Sequence, residues 1–282
     1  MKLVRYRINE EISLGVVVEG RVHDIAGYCG TASMREALSR LVDIREALNI
    51  GGLPSVPLAD VNLEAPITDP QKVLAIGMNY KAHAQEALDA GIAVPPYQTW
   101  FNKQVSCLNG PRDPIVLPAV SNQVDYEAEL VVVIGTRCRD VLRSNARSVI
   151  AGYMIGNDVS ARDWQHRTPT FTLGKSFDTH GPIGPWIVTD DEVSDPHALT
   201  MFLTVNGEER QRASTGDMIY DIYDQIEYLS TVMTLEPGDL LFSGTPAGVG
   251  AAMKPQRWLV PGDRVQIAIS GIGQIENLVI AV

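Results

Sequence analysis

Long apolar segments are missing from this sequence. Its longest apolar runs, Leu130–Ile134 and Leu278–Val282, are short, whereas a helix that crosses a bilayer needs about 20 apolar residues. Charged residues also interrupt the N-terminal segment, which therefore does not resemble a secretory signal. We expect no membrane association.

Cysteine and positive charge are scarce as well. The three cysteines, Cys29, Cys107 and Cys138, are far apart and lack the spacing of a metal site. Lysine and arginine number 23 against 34 acidic residues, which gives a net charge of −11. Because a nucleic-acid-binding protein uses basic residues to neutralise phosphate, we expect no nucleic-acid partner. These features predict an acidic globular protein of the cytoplasm.

Several catalytic motifs are absent. The chain contains no phosphate-binding P-loop, no Gly-x-Ser-x-Gly nucleophile elbow and no His-Glu-x-x-His zinc motif. Gly271 and Gly273 lie between predicted strands instead of opening a helix, which does not indicate a dinucleotide site. The five histidines include no pair at helical spacing, so a histidine-bound zinc hydrolase is not favoured. The chemistry that remains is that of carboxylates.

The pattern of apolar residues and turns predicts an α+β fold that is mainly β. Strand-like runs dominate after Lys72, and four helices are predicted, at about Ser33–Leu48, Tyr80–Ala90, Asn145–Ala151 and Ile219–Val232. Strands and helices do not alternate strictly, which argues against a doubly wound sheet. Residues 1–65 are predicted to form a small N-terminal α+β unit with a connector, and residues 66–282 a second domain.

Two glutamates at the start of an apolar strand form the first candidate site. Glu127 and Glu129 are two residues apart, so both carboxylates would point to the same face of the strand. Adjacent acids repel each other unless positive charge lies between them, and a divalent cation supplies that charge. A solvated strand edge would better explain an isolated pair. The buried character of the following run, Leu130–Ile134, favours the metal site.

Asp158 is the third candidate ligand. It follows the apolar run Gly152–Gly156 and would leave the core where a strand ends. A helix N-cap or a turn is the alternative role for this aspartate. Together with Glu127 and Glu129 it would make a set of oxygen ligands that suits Mg²⁺ or Mn²⁺ and leaves positions for water and substrate.

His83 and Glu86 form a candidate acid–base pair. They are three residues apart in a predicted helix, so they share one face and can hydrogen-bond. A carboxylate that orients an imidazole produces a general base near neutral pH. An ordinary exposed pair on a helix surface has the same spacing and is more common.

Two further residues belong to loops. Lys175 is a cation in the loop Gly174–Asp178 and could face an anionic substrate, although most lysines simply face solvent. Thr245 lies in a glycine-rich turn after an apolar strand. Such a turn lets backbone N–H groups approach a carboxylate or an oxyanion, but a plain tight turn has the same composition.

Together with their neighbours in the sequence, these residues resemble the fumarylacetoacetate hydrolase family, from about Val73 to the C-terminus. The short N-terminal unit resembles the leading domain of many members. The resemblance rests on five motifs in the family's order: Gly77-Met78-Asn79-Tyr80 with His83 and Glu86; Asp125-Tyr126-Glu127-Ala128-Glu129-Leu130; Gly156-Asn157-Asp158-Val159-Ser160-Ala161-Arg162-Asp163 with Gln165; Gly174-Lys175-Ser176-Phe177-Asp178; and Ser243-Gly244-Thr245-Pro246.

The resemblance implies a mixed β-roll catalytic domain, a homodimer, and Mg²⁺ or Mn²⁺ in a cleft. By position, it implies that the metal ligands are Glu127, Glu129 and Asp158. It implies that His83 and Glu86 activate water and that Lys175 is a catalytic lysine. It also implies that the substrate is bound by Arg162, Gln165 and Thr245. Asn79 occupies the position where some members carry a fourth acidic ligand. This chain therefore has no carboxylate at that position.

The implied substrate is a small oxo acid. We expect hydrolysis of a carbon–carbon bond in a 2,4-dioxo acid of the acylpyruvate type. An isomerase or decarboxylase of a 2-oxo or 2-hydroxydienoic acid could use the same metal site. A metal-dependent binding protein without catalysis is a third possibility, which the joint presence of base, ligands and lysine disfavours.

Overall fold

The computed structural model describes residues 1–282, and most of its regular structure is β-strand. The strands are β1 (Lys2–Ile8), β2 (Glu11–Val18), β3 (Arg21–Asp24), β4 (Ser55–Pro57), β5 (Asn62–Leu63), β6 (Val73–Gly77), β7 (Thr99–Asn102), β8 (Leu108–Asn109), β9 (Ile115–Leu117), β10 (Val124–Asp125), β11 (Ala128–Ile134), β12 (Ile150–Asn157), β13 (Ser160–Ala161), β14 (Gly181–Thr189), β15 (Thr200–Val205), β16 (Glu208–Ser214), β17 (Leu240–Phe242), β18 (Arg264–Ile269) and β19 (Gly273–Ala281). The α-helices are α1 (Ala26–Cys29), α2 (Met34–Ala37), α3 (Leu41–Ile50), α4 (Lys81–Asp89), α5 (Arg162–Gln165) and α6 (Ile222–Val232).

The strands form two large sheets. A twelve-stranded mixed sheet has the order β4-β3-β2-β1-β14-β12-β11-β17-β6-β7, with β5 beside β1 and β8 beside β14. A five-stranded sheet has the order β16-β15-β18-β19-β9, and β10 pairs with β13 separately. The predicted α+β, mainly β fold is confirmed.

Both faces of the large sheet are covered. On one face, Leu130, Val132 and Ile134 of β11 pack in a core with apolar residues of the five-stranded sheet and of α6. On the other, Val131 and Val133 pack with residues of the N-terminal segment. Because successive side chains of a strand point to opposite faces, β11 is buried along its whole length.

The N-terminal segment continues the large sheet. Strand β1 pairs with β14 through Lys2 opposite Val188 and Leu3 opposite Ile187. Its apolar residues share one core with β11, β12 and β17. The domain boundary at residue 65 remains a prediction.

The helices differ in part from those predicted. The predicted helix at Asn145–Ala151 is wrong: the chain forms a 3₁₀ helix over Arg143–Val149, and β12 begins at Ile150. Ser148 Oγ donates to the carbonyl of Asn145 at 2.7 Å. Such local side-chain bonds compete with an α-helix, and the last two residues of the predicted helix belong to β12 instead, where Ile150 pairs with Ile134 of β11.

Two other helices differ from their predicted bounds. The Ser33–Leu48 helix is broken by a 3₁₀ turn at Leu38–Arg40, where Ser39 Oγ donates to the Glu36 carbonyl. Helix α6 begins at Ile222 and not at Ile219, because the Asp221 side chain caps it by accepting hydrogen bonds from backbone N–H groups of its first turn.

Strands β12 and β14 approach each other so closely at Gly152 of β12 that there is no room for a side chain. A Cβ placed there would lie 2.2 Å from the backbone oxygen of Val188, which cannot move without breaking the pairing of β12 with β14. We expect Gly152→Ala to lower the free energy of unfolding by about 3 kcal/mol, as overpacked cores do. Gly27→Ala, with no atom within 4 Å of the added carbon, is the control. Equal urea midpoints for the two variants would contradict the expectation.

A buried histidine predicts how acid affects stability. Burial, with the nearby charge of Lys103, lowers the pKa of His180 to about 3. The unfolded chain takes up this proton near pH 6.5, so the group's contribution to stability is present above pH 6.5 and falls by about 1.4 kcal/mol per pH unit below it, until pH 3. The free energies of unfolding of wild type and His180→Gln should therefore approach each other as pH falls from 6.5 to 4.5, because only wild type loses this contribution. Parallel pH profiles would disprove this.

Candidate metal centre and active site

Four strand ends meet at one edge of the large sheet. Strand β11 begins beside the end of its antiparallel neighbour β12, because Ala128 pairs with Asn157. Strand β17 runs antiparallel to β11 and parallel to β6, so these two strands end at the same edge. The residues just before β11 and just after β12, β6 and β17 are therefore brought together, although they are far apart in sequence.

The three predicted metal ligands converge at this edge. Each of Glu127, Glu129 and Asp158 offers a carboxylate oxygen, and these atoms lie within 4.8 Å of one another. None of the three residues is more than 5% exposed. The Asp158 N–H donates to the Glu127 carbonyl at 2.9 Å, and Asn157 Oδ1 accepts the Glu127 N–H at 3.0 Å. The backbone thus fixes the spacing of two of the acids.

Three buried cations surround the acids. Lys175 Nζ lies 2.7 Å from Glu127 Oε2 and 2.8 Å from Asp158 Oδ2. Lys103 Nζ lies 2.7 Å from Asp158 Oδ1. Arg162 reaches Glu127 Oε1 at 2.7 Å. Glu129 pairs with no cation and accepts the Gly244 N–H at 2.7 Å.

The electrostatics of the two glutamates differ for this reason. Burial would raise the pKa of Glu127, but the charges of Lys175 and Arg162 outweigh burial and lower it below its usual range. Burial raises the pKa of Glu129 well above its usual range, and the neighbouring Asp158 and Glu127 carboxylates add to the effect. Glu129 is the acid whose charge is least compensated by the protein.

The residues fit a hard divalent cation. With Asp125, which pairs with Arg162, the buried cluster has four carboxylates and three cations, so one negative charge is in excess. Its candidate ligand atoms are all carboxylate oxygens, the type that Mg²⁺ and Mn²⁺ prefer. A cation beside Glu129 would offset the burial and the repulsion that together raise the pKa of this carboxyl group.

The His83–Glu86 pair is formed on α4. His83 Nδ1 lies 3.0 Å from Glu86 Oε2, and the Gly248 N–H donates to Glu86 Oε1 at 3.0 Å. Glu86 is therefore held at both oxygens, and a proton on His83 Nδ1 leaves Nε2 free to accept another. The backbone N–H groups of the turn at residues 244–248 bind Glu129 and Glu86, which are both carboxylates.

A single cavity of about 170 Å³ contains eight of the nine predicted site residues. They are His83, Glu86, Glu127, Glu129, Arg162, Gln165, Lys175 and Thr245. Asp158 is fully buried and connects to the cavity through Lys175. The other walls include apolar side chains such as Ile92, Phe101, Phe171 and Val249. A small molecule in this cavity would touch a polar cluster and an apolar surface.

The predicted substrate-binding residues already have protein partners. Arg162 donates to Asp125, Glu127 and, at 2.9 Å, to Gln165 Oε1. Thr245 Oγ1 accepts a hydrogen bond from Gln211. Their contacts with a substrate remain predictions.

Asn79 is used by the fold instead of the site. Its amide donates to the carbonyls of Tyr220 and Ser243 and accepts the Tyr220 N–H at 2.9 Å. This amide joins two segments of the chain, and its hydrogen-bonding groups are occupied. It is not among the residues that line the cavity.

Sequence reasoning missed three residues of the site. Lys103 follows the edge strand β7 and is buried against Asp158. Asp125 accepts from Arg162 and from the N–H groups of Gly250 and Ala251. Gly174 lies so close to Gln165 that a Cβ would be 2.3 Å from its backbone nitrogen. No local signal marks Lys103, because it follows the polar Asn102 at the end of an edge strand.

Comparison with known proteins identifies the family. The family model for the C-terminal part of fumarylacetoacetate (FAA) hydrolase matches residues 72–280. The chain belongs to the fumarylacetoacetate hydrolase family. The family that the sequence resembles and the fold that this resemblance implies are both confirmed.

Relatives within the family have different activities. The maleylpyruvate hydrolase from Sphingobium sp. SYK-6, solved with manganese(II) and pyruvate, is 36% identical, with a TM-score of 0.85 over 100% of this chain and 99% of that one. The 5-carboxymethyl-2-hydroxymuconate delta-isomerase from Mycobacterium smegmatis is 37% identical, with a TM-score of 0.80 over 100% and 99%. The mitochondrial oxaloacetate tautomerase Fahd2a of Rattus norvegicus is 42% identical over 81% of this chain and 72% of its own.

The length and composition of the helices can be compared with those of membrane-spanning helices. None of them has the length and apolar character needed to cross a bilayer.

The uncompensated charge of Glu129 predicts a response to divalent ions. An ion at 100 times its dissociation constant should stabilise the wild-type protein by about 2.7 kcal/mol. Glu129→Gln should abolish most of this gain, yet without ions it should melt no lower than wild type because a buried acid whose ionisation is unfavourable is gone. Thermal unfolding with and without Mn²⁺ measures both effects, and exposed Glu46→Gln is the control. An undiminished Mn²⁺ response in Glu129→Gln would refute the assignment.

Proposed function

We propose that this protein is a divalent-metal-dependent hydrolase that cleaves a carbon–carbon bond in a 2,4-dioxo acid of the acylpyruvate type. One observation carries the proposal: the His83–Glu86 pair opens into the same cavity as Glu127 and Glu129. A base for water and a site for a cation would thus contact the same small molecule. The manganese- and pyruvate-bound hydrolase relative supports this pairing of ion and keto acid.

The ligand set of the proposed ion is Glu127, Glu129 and Asp158, and Mg²⁺ and Mn²⁺ both suit it. When bound, the ion would supply positive charge that stabilises negative charge on the oxygens of the keto acid. Lys175 and Gln165 line the cavity, and the Lys175 ammonium and the Gln165 side-chain N–H groups would bind the carboxylate end. The apolar walls suit the acyl end.

The His83–Glu86 pair performs the proton transfers. Glu86 holds the imidazole through Nδ1, so that Nε2 can take a proton from water. The water oxygen bonds to the distal carbonyl carbon, and the bond from this carbon to the methylene carbon breaks. The bonding electron pair stays with the pyruvate fragment, which takes up a proton at carbon. The products are pyruvate and a carboxylic acid, whose atoms sum to those of the substrate and one water.

Isomerisation is the second candidate function. The tautomerase and isomerase relatives favour it, and the same histidine could move a proton between two carbons of a 2-oxo or 2-hydroxydienoic acid without using water. Decarboxylation of such an acid belongs to the same alternative. A homodimer, as the family resemblance implies, remains a prediction.

Product analysis separates the candidates. We expect an acylpyruvate to yield pyruvate and a second acid only when Mg²⁺ or Mn²⁺ is present, with one ¹⁸O from labelled water in the second acid. Fumarylpyruvate, maleylpyruvate and oxaloacetate should be assayed as substrates in the same way. A product of unchanged mass would assign isomerisation, and release of CO₂ would assign decarboxylation.

His83→Ala tests the proposed base. Loss of a general base typically lowers turnover by about 10²–10⁴-fold, whereas the affinity for Mn²⁺ should change by less than about 2-fold because His83 contacts none of the three acids. His23→Ala, on β3 and outside the cavity, is the matched control. Wild-type turnover in His83→Ala would show that another group activates the water.

A further inference from the structure

Lys103 is a buried cation to which the proposed reaction gives no role. It follows β7, and its side chain is completely inaccessible to solvent. Its ammonium group donates to Asp158 Oδ1 at 2.7 Å and to the backbone carbonyl of Lys175. A lysine loses much hydration and side-chain freedom on such burial, so it persists only where its partners are fixed.

The two carboxylate oxygens of Asp158 have different partners. Lys103 holds Oδ1, whereas Oδ2 faces Lys175 Nζ at 2.8 Å. Lys175 Nζ in turn contacts Glu127 Oε2. Oδ2 is therefore the oxygen on the side of the other acids, and the bond from Lys103 to Oδ1 prevents the carboxylate from rotating.

The segment around Lys103 also docks the loop that carries Lys175. Phe101 packs edge-to-face on Phe171 and lies beneath the Lys175 ammonium, 4.9 Å from the ring centre. Three polar contacts join the same segments, from Thr172 Oγ1 to Asn102 Oδ1 (2.9 Å), from Lys103 Nζ to the Lys175 carbonyl, and from the Gln104 N–H to Ser176 Oγ (3.0 Å). Four consecutive residues of one segment thus hold one loop.

We propose that Lys103 is a positioning residue that orients Asp158 and the Lys175 loop for binding of the divalent ion. This inference rests on the ion site of the proposed function. Lys103 does not line the cavity, so it would act through Asp158 and Lys175 and would not touch the substrate. Partners that orient a metal ligand in this way commonly contribute 10–100-fold to metal affinity.

Charge alone predicts the opposite effect. If Lys103 only neutralised the acids, its removal would make the site more negative and Mn²⁺ would bind more tightly. If Lys103 positions Asp158, its removal lets the carboxylate rotate and releases the loop, so Mn²⁺ would bind more weakly. The sign of the change therefore separates the two roles.

The experiment is a titration of ion-free protein with Mn²⁺, followed by calorimetry or by the electron paramagnetic resonance signal of free Mn²⁺. We expect Lys103→Met to weaken binding at least about 10-fold. Lys72→Met is the matched control, because Lys72 Nζ lies 2.8 Å from the buried carboxylate of Asp239, and neither residue lines the cavity. Its affinity should stay within about 2-fold of wild type.

Two further variants keep the test decisive. Lys103→Gln retains an N–H donor and replaces Lys103→Met if that variant does not fold; it should weaken binding less than the methionine variant but still measurably. In an Asp158→Asn background, Lys103→Met should have little further effect on affinity, since both residues act through one contact.

Unchanged or tighter Mn²⁺ binding by the folded Lys103 variants would overturn the positioning role while leaving the proposed function intact. Absence of Mn²⁺ binding by wild type would instead remove the ion site on which both proposals rest.

Discussion

The repulsion among buried carboxylates is the constraint on which the site depends. Glu127, Glu129 and Asp158 lie within reach of one ion, at positions that solvent barely enters. Ionised acids so close in a poorly polarisable environment are costly unless cations accompany them. The protein supplies Lys103, Lys175 and Arg162. These leave the charge of Glu129 uncompensated, and a divalent ion would compensate it.

The fold maintains this arrangement through its strand ends. Antiparallel pairing of β11 with β12 and the shared direction of β6 and β17 bring four segments to one edge. Because β11 is buried on both faces, its first residues cannot shift without disturbing two cores. The glycine-rich turn at residues 244–248 then fixes Glu129 and Glu86 with backbone N–H groups. The stability of the sheet thus holds together carboxylates that repel each other.

The features of the site that depend on local spacing could be predicted from the sequence. Glu127 and Glu129 share a face because strands have a period of two, and His83 meets Glu86 because helical residues three apart are neighbours. The mainly β fold followed from turns and strand-like runs. The prediction of a helix at Asn145–Ala151 was wrong because β12 begins at Ile150, which pairs with Ile134 of β11.

Contacts between distant segments could not be read in this way. Lysine is usually exposed, so nothing local indicates that Lys103 is buried against Asp158, 55 positions away. Arg162 follows Asp158 closely in the sequence and Thr245 lies in a glycine-rich turn, but their protein partners depend on how the sheet brings distant segments together. Their contacts with substrate, like the domain boundary, remain predictions.

The most direct test of the central claim is a crystal structure of the protein soaked with Mn²⁺, with anomalous diffraction measured near the manganese absorption edge. The account predicts one strong anomalous peak within coordinating distance of carboxylate oxygens from Glu127, Glu129 and Asp158. A peak elsewhere, or an ordered site in which these three carboxylates bind only Lys103, Lys175 and Arg162, would contradict it.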